Sequence, residues 1–221
     1  MKADFDALGY ALVPGVLSPN RVVGIIAQLP DLGSQAGTRG MLNHPVGQEL
    51  AHDPAVVALA EEVLGRSVIP VRAILFDKSP AANWTLGMHQ DTKIAVRERR
   101  ELPGYDAWSE KEGEIHCRPP ERILRGMVAV RLHLDRSHAE NGPLRVSPGS
   151  HRRGLISSGE VEAVVREHGE ELLTADAGDA ILMAPLALHG SGRSTSSDRR
   201  RVIHIEFAAE PLDAGLQWAF A

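Results

Sequence analysis

From residue 68 onward, the sequence is a succession of short apolar runs separated by turns rich in glycine and proline. Runs of this kind are typical of β-strands, and the segments 141–143 (NGP) and 177–179 (AGD) between them are typical of turns. The predicted strands are 68–69, 71–76, 86–94, 127–134, 144–147, 172–173, 180–183 and 201–207. So many short strands favour two packed sheets, as in a jelly roll.

Two helices are predicted before these strands. Ser18 is placed to cap the first helix, with Pro19 at its first position and apolar residues at helical spacing after it. Asp53 begins the second helix, which ends near Gly65, whereas the glycine-rich residues 31–46 are expected to form a loop. The predicted fold class is therefore α+β, a double-stranded β-helix (jelly roll) with the N-terminal helices packed on the major sheet.

A single domain is the expected organisation. The 221 residues contain no internal repeat or low-complexity linker, and 43% hydrophobic with 24% charged residues is ordinary for a globular protein. We expect a helical part over 1–67 and a jelly-roll core over 68–211. Residues 97–122 match no strand pattern and carry six basic and seven acidic side chains. Such a long connection predicts a lid over the active-site mouth, or else a solvated surface insertion.

The composition disfavours several classes of protein. A net charge of −5 argues against a nucleic-acid-binding protein that relies on a basic surface. No apolar run approaches the roughly 20 residues that cross a bilayer, and the acidic start of the chain is unlike a signal peptide. The single cysteine, Cys117, cannot form an intramolecular disulfide and suits a reducing compartment, so a cytoplasmic protein is expected.

Three residues in the strand region have the chemistry of a metal site. His89 and Asp91 are two residues apart on a predicted strand, so their side chains point to the same face. With His189 from another strand they would form a facial triad of two histidines and one carboxylate. This ligand set holds Fe(II) and leaves positions open for a co-substrate and oxygen. Arg200, eleven residues after His189, could bind a carboxylate through two hydrogen bonds.

The strand register leaves two arginines as candidates for that contact. Arg201 shares a face with Ile203 and Phe207, whereas Arg200 shares the other face with His204. If the apolar face packs on the partner sheet, Arg201 faces the site. If helices cover the apolar face instead, Arg200 faces the site.

Three segments that contain these residues resemble the phytanoyl-CoA dioxygenase family, and they occur in the order found there. They are NWTLGMHQD at 83–91, NGPLRVSPGSH at 141–151, and HGSG at 189–192 followed by Arg200. The resemblance extends over about residues 74–207. One departure is Ser194, which stands where the family often has asparagine.

The resemblance implies an Fe(II)- and 2-oxoglutarate-dependent dioxygenase in which His89, Asp91 and His189 bind the iron. No further catalytic residue is implied. The residues implied to contact the co-substrate are Arg200, Ser191, Arg131 and Ile74. The spacing from the second histidine selects Arg200 over Arg201.

The implied reaction is hydroxylation of a C–H bond of a small molecule by O2, with release of succinate and CO2. A carboxylate ligand such as Asp91 occupies the position that chloride would need, so hydroxylation is favoured over halogenation. No nucleic acid or membrane partner is expected, and neither the substrate nor an oligomeric state is assigned.

Two functions of other classes stay open. One is an inert jelly-roll binding protein, and the other is a zinc-type hydrolase in which the same three residues activate water. A hydrolase needs no buried arginine at the position of Arg200, and an inert binder would be expected to have lost a ligand. Basic clusters at 152–153 and 199–201 could bind an anionic substrate or simply lie at the surface.

Overall fold

Antiparallel sheets form the framework of the computed structural model, which describes residues 1–111 and 113–220. The strands are β1 (Tyr10–Val13), β2 (Gly37–Thr38), β3 (Ile69–Lys78), β4 (Leu86–His89), β5 (Ile94–Val96), β6 (Asp106–Lys111), β7 (Glu114–Arg118), β8 (Met127–His133), β9 (Leu144–Val146), β10 (Glu171–Leu173), β11 (Ala180–Met183), β12 (His189–Ser191) and β13 (Arg200–Ala208). The major sheet has the order β1-β11-β8-β13-β3-β2, and the minor sheet has the order β10-β9-β12-β4. The α+β jelly roll predicted from the sequence is confirmed.

The α-helices lie mostly before the long strands. They are α1 (Lys2–Leu8), α2 (Pro19–Gln28), α3 (Pro45–Ala51), α4 (Pro54–Leu64), α5 (Glu121–Arg125) and α6 (Val161–His168). Ser18 accepts a hydrogen bond from the Arg21 backbone, and Asp53 accepts two at the start of α4, as expected of N-cap residues. Among the described helices, none is both long and apolar enough to cross a membrane.

The main apolar core lies between the major sheet and the N-terminal helices. Alternate residues of the central strands, such as Leu75, Val130 and Ile205, are buried in one cluster with Leu50 of α3 and Val56 of α4. The residues between them in each strand point the other way. This opposite face carries a polar set, namely Arg72 and Lys78 of β3, Arg131 and His133 of β8, and Arg200, His204 and Glu206 of β13. The major sheet is therefore buried on both faces, and the polar face looks toward the minor sheet.

Several predictions of local structure were wrong. Helix α1 was missed, and the segment 31–46 contains β2, a 3-10 turn at Met41–Asn43 and the start of α3. The segment 97–122 is not wholly irregular, because β6 and β7 pair with each other and β7 pairs with β5, and α5 follows them. Strand β6 is largely exposed and rich in charge, so it lacks the apolar alternation by which strands are recognised.

Two glycines in helices provide a matched test of how tightly α3 is packed. A Cβ atom on Gly47 of α3 would lie 1.8 Å from the Met41 carbonyl oxygen, whereas one on Gly24 of α2 would meet nothing within 4 Å. Gly47→Ala should therefore lower the free energy of unfolding by about 1–3 kcal/mol, a typical result of overpacking. Gly24→Ala should raise it by about 0.5–1 kcal/mol, because alanine favours a helix. Denaturant unfolding measures both, and equal effects of the two substitutions would contradict the packing described.

Candidate metal centre

Three potential metal ligands meet where β4 pairs with β12 in the minor sheet. His89 and His189 are register partners, with ring centroids 4.3 Å apart. The Asp91 carboxylate lies beside both, 3.8 Å from Nε2 of His89 and 3.5 Å from Nε2 of His189. One donor atom from each of the three lies within 4.8 Å of the others. The structure thus brings together the three residues singled out in the sequence.

The backbone orients both imidazoles toward Asp91. Nδ1 of His89 lies 2.9 Å from the Gly87 carbonyl oxygen, and Nδ1 of His189 lies 3.0 Å from that of Ala187. Since a carbonyl oxygen only accepts, we assign the proton of each ring to Nδ1, which leaves the lone pair on Nε2. Burial also lowers the pKa of His189 to about 4, so its ring is neutral at pH 7. Neutral, oriented imidazoles are what a divalent metal requires.

Asp91 reaches this position by a different route from the one predicted. The predicted strand 86–94 is interrupted, because β4 ends at His89 and β5 begins at Ile94 in another sheet. Asp91 lies in the connection, where its backbone N–H donates to the Pro185 carbonyl oxygen at 2.9 Å. The strand assignment at Asp91 was therefore wrong, although its side chain does meet that of His89. An apolar run that passes from one sheet to another looks continuous in the sequence.

The Gln90 side chain stabilises this connection between the sheets. Its amide group donates to the carbonyl oxygens of Gly154 and Leu186, and its own oxygen accepts from the backbone of Ile156. These contacts bury Gln90 and turn its two neighbours in the sequence toward the metal site.

The carboxyl group of Asp91 is ionised at neutral pH. Burial by itself raises its pKa, but His189, which is protonated only in acid, and Arg72, which stays charged, lower that pKa below its ordinary value. An anionic oxygen ligand beside two imidazoles is a donor set that fits Fe(II).

A chain of buried polar side chains on the major sheet lies beside Asp91. Nη1 of Arg131 lies 2.9 Å from Nδ1 of His204, whose Nε2 lies 3.2 Å from the Glu206 carboxylate. Glu206 in turn pairs with Arg72. Because an arginine only donates, Nδ1 of His204 must accept and its Nε2 carries the proton.

Asp91, His204 and Glu206 form a second group of possible ligands with donor atoms within 4.8 Å of one another. In this group, however, Nε2 of His204 donates its proton to Glu206, and Arg72 neutralises the glutamate. A cation there would have to displace both interactions. The triad of His89, Asp91 and His189 is therefore the better metal site.

Two buried cations face the space between the sheets. Arg200, only 2% exposed, donates from Nε to the Asn141 carbonyl oxygen at 3.3 Å, and Lys78 is its fully buried register partner on β3. Burial and Arg200 lower the pKa of Lys78 to about 8, and burial and Arg131 lower the pKa of Arg200 to about 10. Neither pairs with a carboxylate anywhere in the described part of the chain. Uncompensated buried cations favour a bound anion.

Lys78 is the residue that the sequence analysis missed. Its Nζ donates to the Trp84 and Gly192 carbonyl oxygens at 3.0 and 2.6 Å and to the Ser191 hydroxyl at 2.9 Å. That hydroxyl donates to the Gly142 carbonyl oxygen at 2.8 Å, so Ser191 contacts Lys78 rather than open space. The alternation of β3, which puts Lys78 on the same face as Arg72, could have identified it.

Ile74 and Arg131, the remaining candidates from the sequence, also lie on the polar face. Ile74 lines the cavity beside the triad, and Arg131 is buried next to His204. His133 lies near Arg131 and Arg200, and within the described residues neither of its ring nitrogens has a hydrogen-bond partner. Burial and these two arginines lower the pKa of His133 to about 3.

The structure shows which of the two candidate arginines, Arg200 or Arg201, faces the site. Ile203 and Phe207 lie in the core under the N-terminal helices, so Arg200 faces the interior between the sheets. Arg201 lies on the other face, where it makes two contacts of 2.7 and 2.8 Å with the Asp135 carboxylate.

A cavity of about 530 Å³ opens from the triad toward the three-stranded sheet of β5, β7 and β6. Apolar residues such as Ile74 and Phe76 form part of its wall, and the segment 97–122 contributes Lys111 and His116. That segment is thus one wall of the cavity, and its closure over a substrate stays a prediction.

The remaining arginines of the two basic clusters, Arg152, Arg153 and Arg199, make contacts at the protein surface. Arg152 donates to the Ala7 carbonyl oxygen at 2.7 Å, and Arg153 pairs with Glu167 at 2.8 Å. Arg199 pairs with Asp77. Because all three arginines lie outside the cavity lining, they have surface roles rather than roles in the site.

Comparison with known proteins identifies relatives of most of the chain. The family described as phytanoyl-CoA dioxygenase (PhyH) matches residues 5–202. L-proline trans-4-hydroxylase of Streptomyces griseoviridis is 27% identical over 180 residues, which are 70% of this chain and 59% of that protein. The chain therefore spans less than two thirds of the length of this curated relative.

Solved structures share the fold at low sequence identity. AviO1 from Streptomyces viridochromogenes Tue57 is similar with a TM-score of 0.69 and 21% identity, covering 96% of each chain. EctD from S. alaskensis, solved with 2-oxoglutarate and 5-hydroxyectoine, has a TM-score of 0.74 and 19% identity, covering 96% of this chain and 77% of that one. HygX from Streptomyces hygroscopicus, solved with iron, has a TM-score of 0.67 and 18% identity, covering 93% and 84%. These likenesses establish the jelly-roll fold.

The shifted pKa of His133 predicts a loss of stability in acid. Its pKa is about 3 in the folded protein, against 6.5 for an ordinary histidine. Between these values the unfolded state binds a proton that the folded state excludes, so the free energy of unfolding should fall as the pH drops below about 6.5. The contribution of His133 should reach about 1–2 kcal/mol at pH 5. Denaturant unfolding of the wild type and of His133→Gln at pH 7 and pH 5 measures it. Parallel losses in the two proteins would contradict the assignment.

Proposed function

Because the chain belongs to the phytanoyl-CoA dioxygenase family, we propose that it is an Fe(II)- and 2-oxoglutarate-dependent oxygenase. Its proposed reaction is hydroxylation of a C–H bond of a small molecule, with release of succinate and CO2. The observation that carries this proposal is the His-Asp-His triad next to the buried, uncompensated cations Arg200 and Lys78. A zinc-type hydrolase would use the triad but has no need of the two cations.

The proposed iron ligands are Nε2 of His89, Nε2 of His189 and the carboxylate of Asp91. Three protein ligands on one side of an iron ion leave the opposite side for the co-substrate and oxygen. When bound, iron and 2-oxoglutarate together supply the oxidising chemistry, and the protein supplies binding, orientation and shielding. Gly87 and Ala187 contribute through their carbonyl oxygens, because they hold the two imidazoles in the metal-binding orientation.

The distal carboxylate of 2-oxoglutarate would bind Arg200 and Lys78. Arg200 can offer a planar pair of N–H donors, whereas Lys78 offers a compact positive charge in a space with little water. Ser191 then serves as a positioning residue that holds Lys78, and Ile74 would give the co-substrate an apolar contact. Arg131 is already hydrogen-bonded to His204, so its proposed contribution is chiefly its charge.

Two observations support hydroxylation as the reaction. Asp91 supplies the carboxylate ligand whose position chloride would need in a halogenating enzyme. The relative from Streptomyces griseoviridis is named as a hydroxylase of L-proline. A catalytically inert binding protein is disfavoured, because none of the three proposed ligands is missing.

Binding of Fe(II) and 2-oxoglutarate tests the proposed ligand set. Added without oxygen, the two should produce a weak visible absorption band, because the keto acid chelates the metal. His89→Ala, Asp91→Ala and His189→Ala should each abolish the band and the formation of succinate. His138→Ala is the matched control, since His138 bonds to Asp198 outside the cavity and should leave the band unchanged. A triad variant that keeps the band and full succinate formation would show that its residue is not a ligand.

The co-substrate contact is tested by substitutions on the two faces of β13. A charge-assisted contact of the Arg200 guanidinium is worth about 1.5–3 kcal/mol. Arg200→Ala should therefore raise the apparent dissociation constant for 2-oxoglutarate roughly tenfold to hundredfold, and Arg200→Lys should recover only part of the loss. Lys78→Met should weaken binding in the same direction. Arg201→Ala is the control, because Arg201 pairs with Asp135, and it should change the affinity less than about threefold. A larger effect of Arg201→Ala than of Arg200→Ala would show that the co-substrate does not bind at Arg200.

A further inference from the structure

We infer that the substrate of this site carries a carboxylate, which binds in the cavity beside Asp91 with Arg72 and Lys93 as the residues that recognise it. The inference rests on the proposed function, because it names the substrate class of the same site.

Basic side chains outnumber acidic ones in the described lining of the cavity. The described residues that line it include four basic side chains and one acid, Asp91, whose charge the metal would use. The cations are Arg39, Arg72, Lys93 and Lys111. His116 adds no charge, because burial lowers its pKa, and its Nδ1 donates to the Glu114 carbonyl oxygen at 3.0 Å. A cavity of this kind attracts anions and repels cations.

Arg72 is held in a fixed position in this wall, where it can recognise an anion. It is only 9% exposed, and one end of its guanidinium pairs with Glu206, its register partner on β13. Nε of Arg72 is buried, and it has no hydrogen-bond partner within the described residues. A buried N–H group without a partner is destabilising, because it has lost its hydrogen bond to water and gained none in return. A carboxylate oxygen in the cavity would satisfy it, while Glu206 keeps the side chain in place.

Lys93 offers a second charge closer to solvent. It is half-buried in the connection between β4 and β5, and its Nζ donates to the Ser109 hydroxyl at 2.8 Å. No carboxylate of the described chain lies within ion-pair distance of it. The hydroxyl contact orients the ammonium group and leaves its charge available, so Lys93 can bind an anion that enters the cavity.

The net charge of the site with Fe(II) and 2-oxoglutarate bound also favours a carboxylate on the substrate. Fe(II) and doubly charged 2-oxoglutarate cancel each other, which leaves the charges of the side chains. Among the described residues, the buried cations between the sheets are Arg72, Lys78, Arg131 and Arg200, and the buried or partly buried acids there are Asp91 and Glu206. Two positive charges stay uncompensated, and uncompensated charge in a poorly solvated space is unfavourable. A carboxylate on the substrate removes part of this excess, whereas a neutral substrate does not.

The volume of the cavity limits the size of the acid. About 530 Å³ lies within the range of roughly 300–1,000 Å³ that is usual for small-ligand pockets. The co-substrate takes up part of this space, so a compact carboxylic acid or amino acid fits better than a bulky thioester.

The test compares acids with their own amides. The protein is loaded without oxygen with Fe(II) and 2-oxoglutarate and titrated with short monocarboxylic acids and amino acids, each paired with its primary amide. Phosphate monoesters form a separate arm. Binding is followed by the change in the visible band, and turnover is followed by succinate release in air. We expect acids to bind at least about tenfold more tightly than their amides, as a charge-assisted contact predicts.

Two substitutions assign the recognition residues. For the acid that binds best, Lys93→Gln should raise the dissociation constant roughly fivefold and Arg72→Lys roughly tenfold or more, with a larger effect on KM than on kcat. Lys2→Gln removes the same charge from α1, outside the cavity, and should change nothing. Because Lys93 is half-buried, its variant tests the inference even if Arg72→Lys fails to fold.

The inference is overturned if no acid alters the band, if amides bind as well as acids, or if only phosphate esters bind. It is also overturned if Lys93→Gln and Lys2→Gln behave alike. These outcomes leave the proposed function standing, provided that the band forms in the wild type. A wild-type protein without the band would overturn the proposed function instead.

Discussion

The pairing of β13 with β3 and β8 determines which side chains face the space between the two sheets. In this register Arg200 lies opposite Lys78, and Glu206 lies opposite Arg72. A slip of one residue would exchange the two faces, bringing Ile203 and Phe207 into the site and turning the arginines under the helices. The helices α3 and α4 prevent such a slip, because they bury the apolar face of the sheet. Packing on one side of the major sheet therefore holds the chemistry on the other.

Burial of so many charged groups opposes folding unless partners or ligands compensate them. Arg72 and Glu206 compensate each other, and His204 joins them to Arg131. Arg200 and Lys78 donate only to hydroxyl and carbonyl oxygens among the described residues. Strongly perturbed groups without a structural partner are typical of functional sites, and they fit a site that binds two anions next to a metal ion. The positive interior thus links the co-substrate contact to the carboxylate that we infer on the substrate.

The sequence predicted the fold class, the capped helices α2 and α4, and the three residues that meet at the candidate metal site. The sequence predicted the strands less well where the alternation of apolar and polar residues is hidden. Strand β6 is exposed and charged, so its pattern matched no strand, and Asp91 lies between two strands that looked like one. Lys78 was missed because a lysine at the end of a strand is usually solvated, and only the contacts with Trp84, Ser191 and Gly192 reveal its burial. The face of Arg200 was open in the sequence, because it depended on where the helices pack.

A crystal structure of the protein with Fe(II) and 2-oxoglutarate, grown without oxygen, tests the central claim most directly. We predict iron bound by Nε2 of His89, Nε2 of His189 and the Asp91 carboxylate, with the distal carboxylate of 2-oxoglutarate against Arg200 and Lys78. The competing position is the group formed by Asp91, His204 and Glu206, whose donor atoms also lie within 4.8 Å of one another. Iron at that second position, or a co-substrate carboxylate that contacts neither Arg200 nor Lys78, would contradict the account.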